Sequence, residues 1–154
     1  MTEAQISDII RRYHASMFRL AFSYIKNRED AEDIVQEAFL KLYTCNIIFP
    51  AEENIKAWLI RVTINLCKDL LRVNKKRISE PIDDIPAEDS KDSELLDCIR
   101  KLKPQYAAII FLFYYEGYSV KEIAKIQGIT DSAVTTRLSR ARKQLKKMLT
   151  KEGL

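Results

Sequence analysis

Apolar side chains recur along most of this chain at steps of three and four, the spacing that gathers them on one face of an α-helix. Ile6, Ile9, Ile10, Tyr13, Met17, Leu20, Ala21 and Tyr24 predict a first helix over residues 3–25. Asn27 is an N-cap candidate with Glu29 and Asp30 in the following turn, where the helix dipole favours acids, so a second helix runs from there to about Tyr43. Ala31, Ile34, Val35, Ala38 and Leu42 face inward on it. After a loop containing Phe49 and Pro50, a third helix is expected from about Asn54 to Asn74. It has two apolar faces, Ile55, Trp58, Leu59, Val62, Leu66 and Val73 on one and Ile60, Ile64, Cys67 and Leu71 on the other, which predicts packing on both sides.

The rest of the chain is punctuated differently. A helix near Asp92 to Leu102 precedes one with Pro104 close to its first position, where the missing N–H costs nothing, and Gly117 ends it. Ser119-Val-Lys-Glu122 has the form of a capping box, and Gly128 stands where a left-handed C-terminal cap is needed. A last helix follows Thr130 to about Lys151. A short helix, a tight turn through Gln127-Gly128-Ile129 and a longer helix is the layout of a helix-turn-helix. The last helix turns Val134, Leu138, Ala141, Leu145 and Met148 to the core, and Ser132, Thr136, Ser139, Arg140, Lys143 and Lys147 away from it.

Composition narrows the class. Only 3 Gly and 4 Pro occur in 154 residues, too few for a turn-rich sandwich or barrel, so the fold class is all-α: two small helical domains joined by an acidic linker, the second ending in the helix-turn-helix. The domains are expected at 1–75 and 92–154 and the linker at 76–91, where Pro81, Pro86 and a run of acids interrupt the periodicity. Three widely spaced Cys and a single His give neither a zinc-site spacing nor a disulfide framework, so no metal or cofactor is expected and a reducing, cytoplasmic setting fits. The longest apolar run, Tyr106 to Tyr115, is too short to cross a bilayer. With no Gly-rich phosphate loop, no nucleophile elbow and His14 isolated in a helix, where it reads as structural, no enzyme is expected.

Charge carries more information by position than in total. The chain is +4 overall, but residues 1–75 are +1, 76–103 are −2 and 104–154 are +5. From Arg137 to Lys151 there are seven bases and no acid, which suits a helix whose tip enters a major groove while its shaft meets phosphates. On the third helix, Arg61, Asn65, Lys68, Arg72 and Lys75 form a cationic wedge, either a solvated face or a track for a nucleic-acid backbone, with Asp69 placed to orient Arg72. The second helix presents Glu29, Asp33, Gln36, Glu37 and the apolar Leu40, a face that cannot bind DNA and reads either as a protein-docking surface or as solubilising charge.

Three segments in one order resemble the extracytoplasmic-function sigma factors of bacterial RNA polymerase. They are Asp30-Ala-Glu-Asp-Ile-Val-Gln-Glu-Ala-Phe39, Ala57-Trp-Leu-Ile-Arg61 with Asn65, Asp69 and Arg72, and Tyr118-Ser-Val-Lys-Glu-Ile-Ala with the stretch from Gly128 to Arg142. The resemblance implies a promoter-specificity subunit without catalytic activity of its own. It gives Asp33, Gln36, Glu37 and Leu40 a docking role on the core enzyme. It makes the loop from Thr44 to Glu53 and the following helix the part that recognises and melts the minus-ten element, with Asn46, Phe49, Arg61, Asn65, Lys68 and Arg72 toward that DNA. It makes the last helix the minus-thirty-five reader through Ser132, Thr135, Thr136, Arg137, Ser139, Arg140 and Lys143. Implied partners are the polymerase core enzyme, promoter DNA and an anti-sigma factor, with no membrane insertion. The competing reading is a stand-alone repressor or activator that uses its first domain to dimerise; the separate acidic face and cationic wedge of that domain argue against it.

Overall fold

Thr2 starts the first helix by a reciprocal cap: its hydroxyl accepts the Gln5 backbone N–H at 3.2 Å, and its own N–H donates to Gln5 Oε1 at 2.8 Å. In the computed structural model, which describes residues 1–73 and 97–151, helix α1 then runs Glu3–Ile25 and stops at Lys26 in the left-handed conformation, φ 60°. Helix α2 (Arg28–Thr44) is capped as expected by Asn27, whose Oδ1 accepts the Asp30 N–H at 2.9 Å. Helix α3 spans Glu52–Val73.

Each of these three helices packs against the other two. Met17, Leu20 and Ala21 of α1, Val35, Ala38 and Leu42 of α2, and Leu59, Ile60 and Cys67 of α3 are fully or almost fully enclosed. Each large side chain among them contributes about 1.5–3 kcal/mol of burial. The expectation that α3 packs on two sides is corrected here. Its buried residues, Leu59, Ile60, Thr63, Ile64 and Cys67, form one broad seam, with Ile55, Trp58, Val62 and Leu66 half-exposed on its flank. Leu71 and Val73, in the last turn, reach solvent. Thr63 at the centre of the seam is enclosed, its hydroxyl directed at Met17 Sδ at 3.7 Å.

The chain separates into two compact units, Met1–Asp83 and Asp84–Leu154, and the expected linker at 76–91 lies outside the described residues. In the second unit, residues 97–101 are helical and Leu102 is fully buried; the expected start of that helix near Asp92 also falls outside the described residues. Helix α4 (Pro104–Ile110) has proline in its first turn and continues as one wide turn, Phe111–Tyr115, closed by the Glu116 N–H donating to Phe111 O at 3.0 Å. It ends with the Tyr118 N–H on Leu112 O and Gly117 at φ 75°. Helix α5 (Val120–Gln127) carries the expected capping box between Ser119 and Glu122. Gly128, φ 68°, turns the chain, the Ile129 N–H donates back to Ala124 O, and helix α6 runs Asp131–Lys151. Helices α4 and α5 both pack on α6 around Ile109, Leu112, Ile123, Val134, Leu138 and Ala141.

Candidate protein-docking and nucleic-acid interfaces

The acidic face of α2 is built by the same periodicity that fills the core. With Ala31, Val35, Ala38 and Leu42 inward, Asp33, Gln36, Glu37 and Leu40 all stand exposed on the other side. Leu40 is 62% exposed and Tyr43, one turn on, is 41% exposed, so an apolar ridge runs among the acids. Tyr43 was not foreseen; its spacing of three from Leu40 was the available signal. The lone His14 bonds across to this helix, its Nε2 lying 2.6 Å from Glu32 Oε1, with its ring stacked beside Phe18. That contact joins α1 to α2 and gives the residue the structural place expected of it.

On α3 the wedge emerges as a continuous outward face. Arg61, Asn65, Lys68 and Arg72 are all exposed, and the Arg72 guanidinium donates to Asp69 at 3.0 Å, the orienting role expected of that acid. The pair is open to solvent and is worth well under about 1 kcal/mol, so it shapes the stripe more than it stabilises the helix. Phe49, half-buried, packs edge to face with Trp58, the ring centroids 5.9 Å apart and the planes at 74°. Because Trp58 is three residues before Arg61, this contact pins the loop against the margin of the wedge. Asn46 is exposed on that loop, and so is Ile48, at 94%. Periodicity put Trp58 among the core residues and gave no sign of Ile48, since a short irregular apolar run has no preferred face.

On α6, Thr130 caps the helix by accepting the Ala133 N–H at 3.1 Å. Ser132, Thr135, Thr136, Ser139, Arg140 and Lys143 are exposed, and Arg137 is half-buried. The Thr135 hydroxyl donates to Asp131 O at 3.0 Å, and Ser132 and Thr130 hydroxyls lie 3.4 Å apart. Arg142, one of the seven bases of this segment, is turned instead toward the end of α4, where its Nε donates to the Tyr114 hydroxyl at 2.6 Å. Among the described residues no helix is long and apolar enough to cross a membrane.

The acidic helix, the basic wedge and the helix-turn-helix coincide with two known sequence families. Sigma-70 region 2 matches residues 9–77, and sigma-70 region 4 matches residues 92–145. The RNA polymerase sigma factor SigV of Bacillus subtilis is 37% identical over 99% of this chain and 96% of its own length. The ECF RNA polymerase sigma factor SigE of Mycolicibacterium smegmatis is 28% identical over 95% of this chain and 62% of its own. Among solved structures, the sigma factor RpoE in complex with the anti-sigma factor NepR from Bartonella quintana shares the fold, with a TM-score of 0.81, 22% identity and coverage of 95% and 97% of the two chains. A region 2 followed by a region 4 defines the sigma-70 class, the specificity subunits of RNA polymerase. Within it, this chain belongs to the extracytoplasmic-function family and serves promoter-specific initiation of transcription.

Proposed function

We propose that the three exposed faces divide the work of initiation. Asp33, Gln36, Glu37 and Leu40 dock on the polymerase core enzyme, an acidic rim around an apolar anchor being the arrangement that steers and then holds a basic partner. The loop carrying Asn46 and Phe49, with Arg61, Asn65, Lys68 and Arg72, captures the non-template strand of the minus-ten element. Opening that element loses base stacking at a few kcal/mol per step, which aromatic and apolar surface beside cations can offset. Ser132, Thr135, Thr136, Arg137, Ser139, Arg140 and Lys143 meet the minus-thirty-five duplex, with part of the recognition through DNA shape, since Ser and Thr make few distinctive base contacts.

In this reading residues 1–75 and 92–154 are separate working domains, 76–91 an acidic connection, and the protein acts in the cytoplasm without catalytic chemistry of its own. An anti-sigma factor is its expected regulatory partner, as the sigma factor of the solved relative is held by NepR. The observation that carries the proposal is the exposure of Leu40 among acids on a helix whose opposite face is fully buried. Asp33→Arg is expected to weaken binding to core polymerase about tenfold or more while leaving the thermal melt unchanged. Unchanged binding removes α2 from the docking surface.

A further inference from the structure

Among the described side chains of the basic run on α6, Arg142 is the one placed against aromatic rings. At 100° per residue Arg142 lies roughly 70° round the helix from the buried line of Val134, Leu138, Ala141 and Leu145, whereas Arg140 and Lys143 lie roughly 130° and 170° from it. Its guanidinium carbon is 5.5 Å from the ring centroids of both Phe113 and Tyr114. The two rings meet edge to face at 5.0 Å and 78°, forming a corner, and the Arg142 Nε donates to the Tyr114 hydroxyl within it. Consecutive residues can both reach one guanidinium because they sit in the wide turn Phe111–Tyr115, where the helix is locally opened. A planar guanidinium can donate sideways and stack at once; an ammonium cannot do both.

We propose that Arg142 is a positioning residue for duplex recognition, and that Tyr114 is its partner. The pair clamps the middle of α6 to the end of α4 and so fixes the angle at which Ser132, Thr136, Ser139 and Arg140 are presented. Arg142 itself makes no phosphate contact. This rests on α6 being the upstream-element reader. It separates the basic run into charges that touch DNA and one that aims the helix.

The test uses the full chain assembled with core polymerase on duplexes carrying an upstream element enriched from a randomised pool by the wild-type holoenzyme. Affinity is measured over a series of KCl concentrations. Lys143→Ala should flatten the slope of log affinity against log salt by about one, the signature of a lost phosphate contact. Arg142→Lys and Tyr114→Phe should each weaken upstream-element binding about fivefold, the scale of one hydrogen bond, with the salt slope unchanged. The Tyr114→Phe effect should vanish in an Arg142→Lys background. Circular dichroism melts of each variant confirm a folded chain. If Arg142→Lys binds as wild type while Arg142→Ala flattens the slope, Arg142 is a phosphate ligand and the proposal is overturned; a Tyr114→Phe variant equal to wild type overturns it as well. If instead Arg140→Ala leaves the selected element and its affinity unchanged, the reading of α6 as reader fails, a result separable from both.

Discussion

Single residues at the turns decide how firmly the recognition helix is presented. Gly128 adopts φ 68°, and a Cβ there would meet nothing within 4 Å, so the cost of replacing it is backbone strain alone. Gly128→Ala should lower stability by about 1 kcal/mol, and Gly128→Asn by less, as read from denaturant titrations. Glu122 accepts the Ser119 backbone N–H, and this bond, with that to the Ser119 side chain, holds its carboxyl below the ordinary value of 4.5. A depressed folded value means the stabilisation is present above the unfolded value and is lost as pH falls through the folded one. The melting difference between wild type and Glu122→Ala should therefore be constant near neutrality and shrink as pH drops below about 4.5. A difference independent of pH would show that the charged form of the box contributes nothing. Burial pushes the Cys67 thiol upward, and Cys98 is fully enclosed, whereas Cys45 is half-exposed at the end of α2. In the native protein a thiol reagent at pH 8 should label Cys45 promptly and the other two only on denaturation.

Helices were legible in the sequence wherever a cap or a turn residue agreed with the periodicity. Asn27, Ser119 and Gly128 each end or begin an element where the spacing of apolar residues also changes. Helix α3 was harder to read because Thr63, a polar residue, sits at the centre of its seam while Val73, an apolar one, is 75% exposed. A hydroxyl enclosed in the core and an exposed valine in the last turn both invert the usual signal, and only the packing distinguishes them. Leu59→Ala, in that seam and fully buried, should cost about 2–5 kcal/mol, the usual range for removing an enclosed leucine side chain. A loss below about 1 kcal/mol would mean that the three-helix packing is wrong. The exposed acidic face of α2 and the exposed polar face of α6 followed from helical projection. The loop contact between Phe49 and Trp58, and the clamp between Tyr114 and Arg142, did not, since both join residues that no local period relates.

At the scale of the whole molecule the modest charge of +4 is the residue of opposed surfaces. The acids of α2 and of residues 76–103 offset part of the basic wedge on α3 and of the basic run on α6, so the total says little and the distribution says most. In the proposed division of work, their separation on different helices lets one small protein hold a polymerase, capture an opened strand and read a duplex at once. That division has a direct consequence for promoter opening. If α3 works by capturing the melted strand, opening the DNA beforehand relieves a deficit in α3 but none in α2. The decisive measurement is transcription by reconstituted holoenzyme from a fully paired promoter and from the same promoter with a mismatched, pre-opened minus-ten element. Arg61→Ala should be severely impaired on the paired template and largely restored on the opened one, while Asp33→Arg should be equally impaired on both. Equal rescue of the two variants, or rescue of neither, would contradict the assignment of docking to α2 and strand capture to α3.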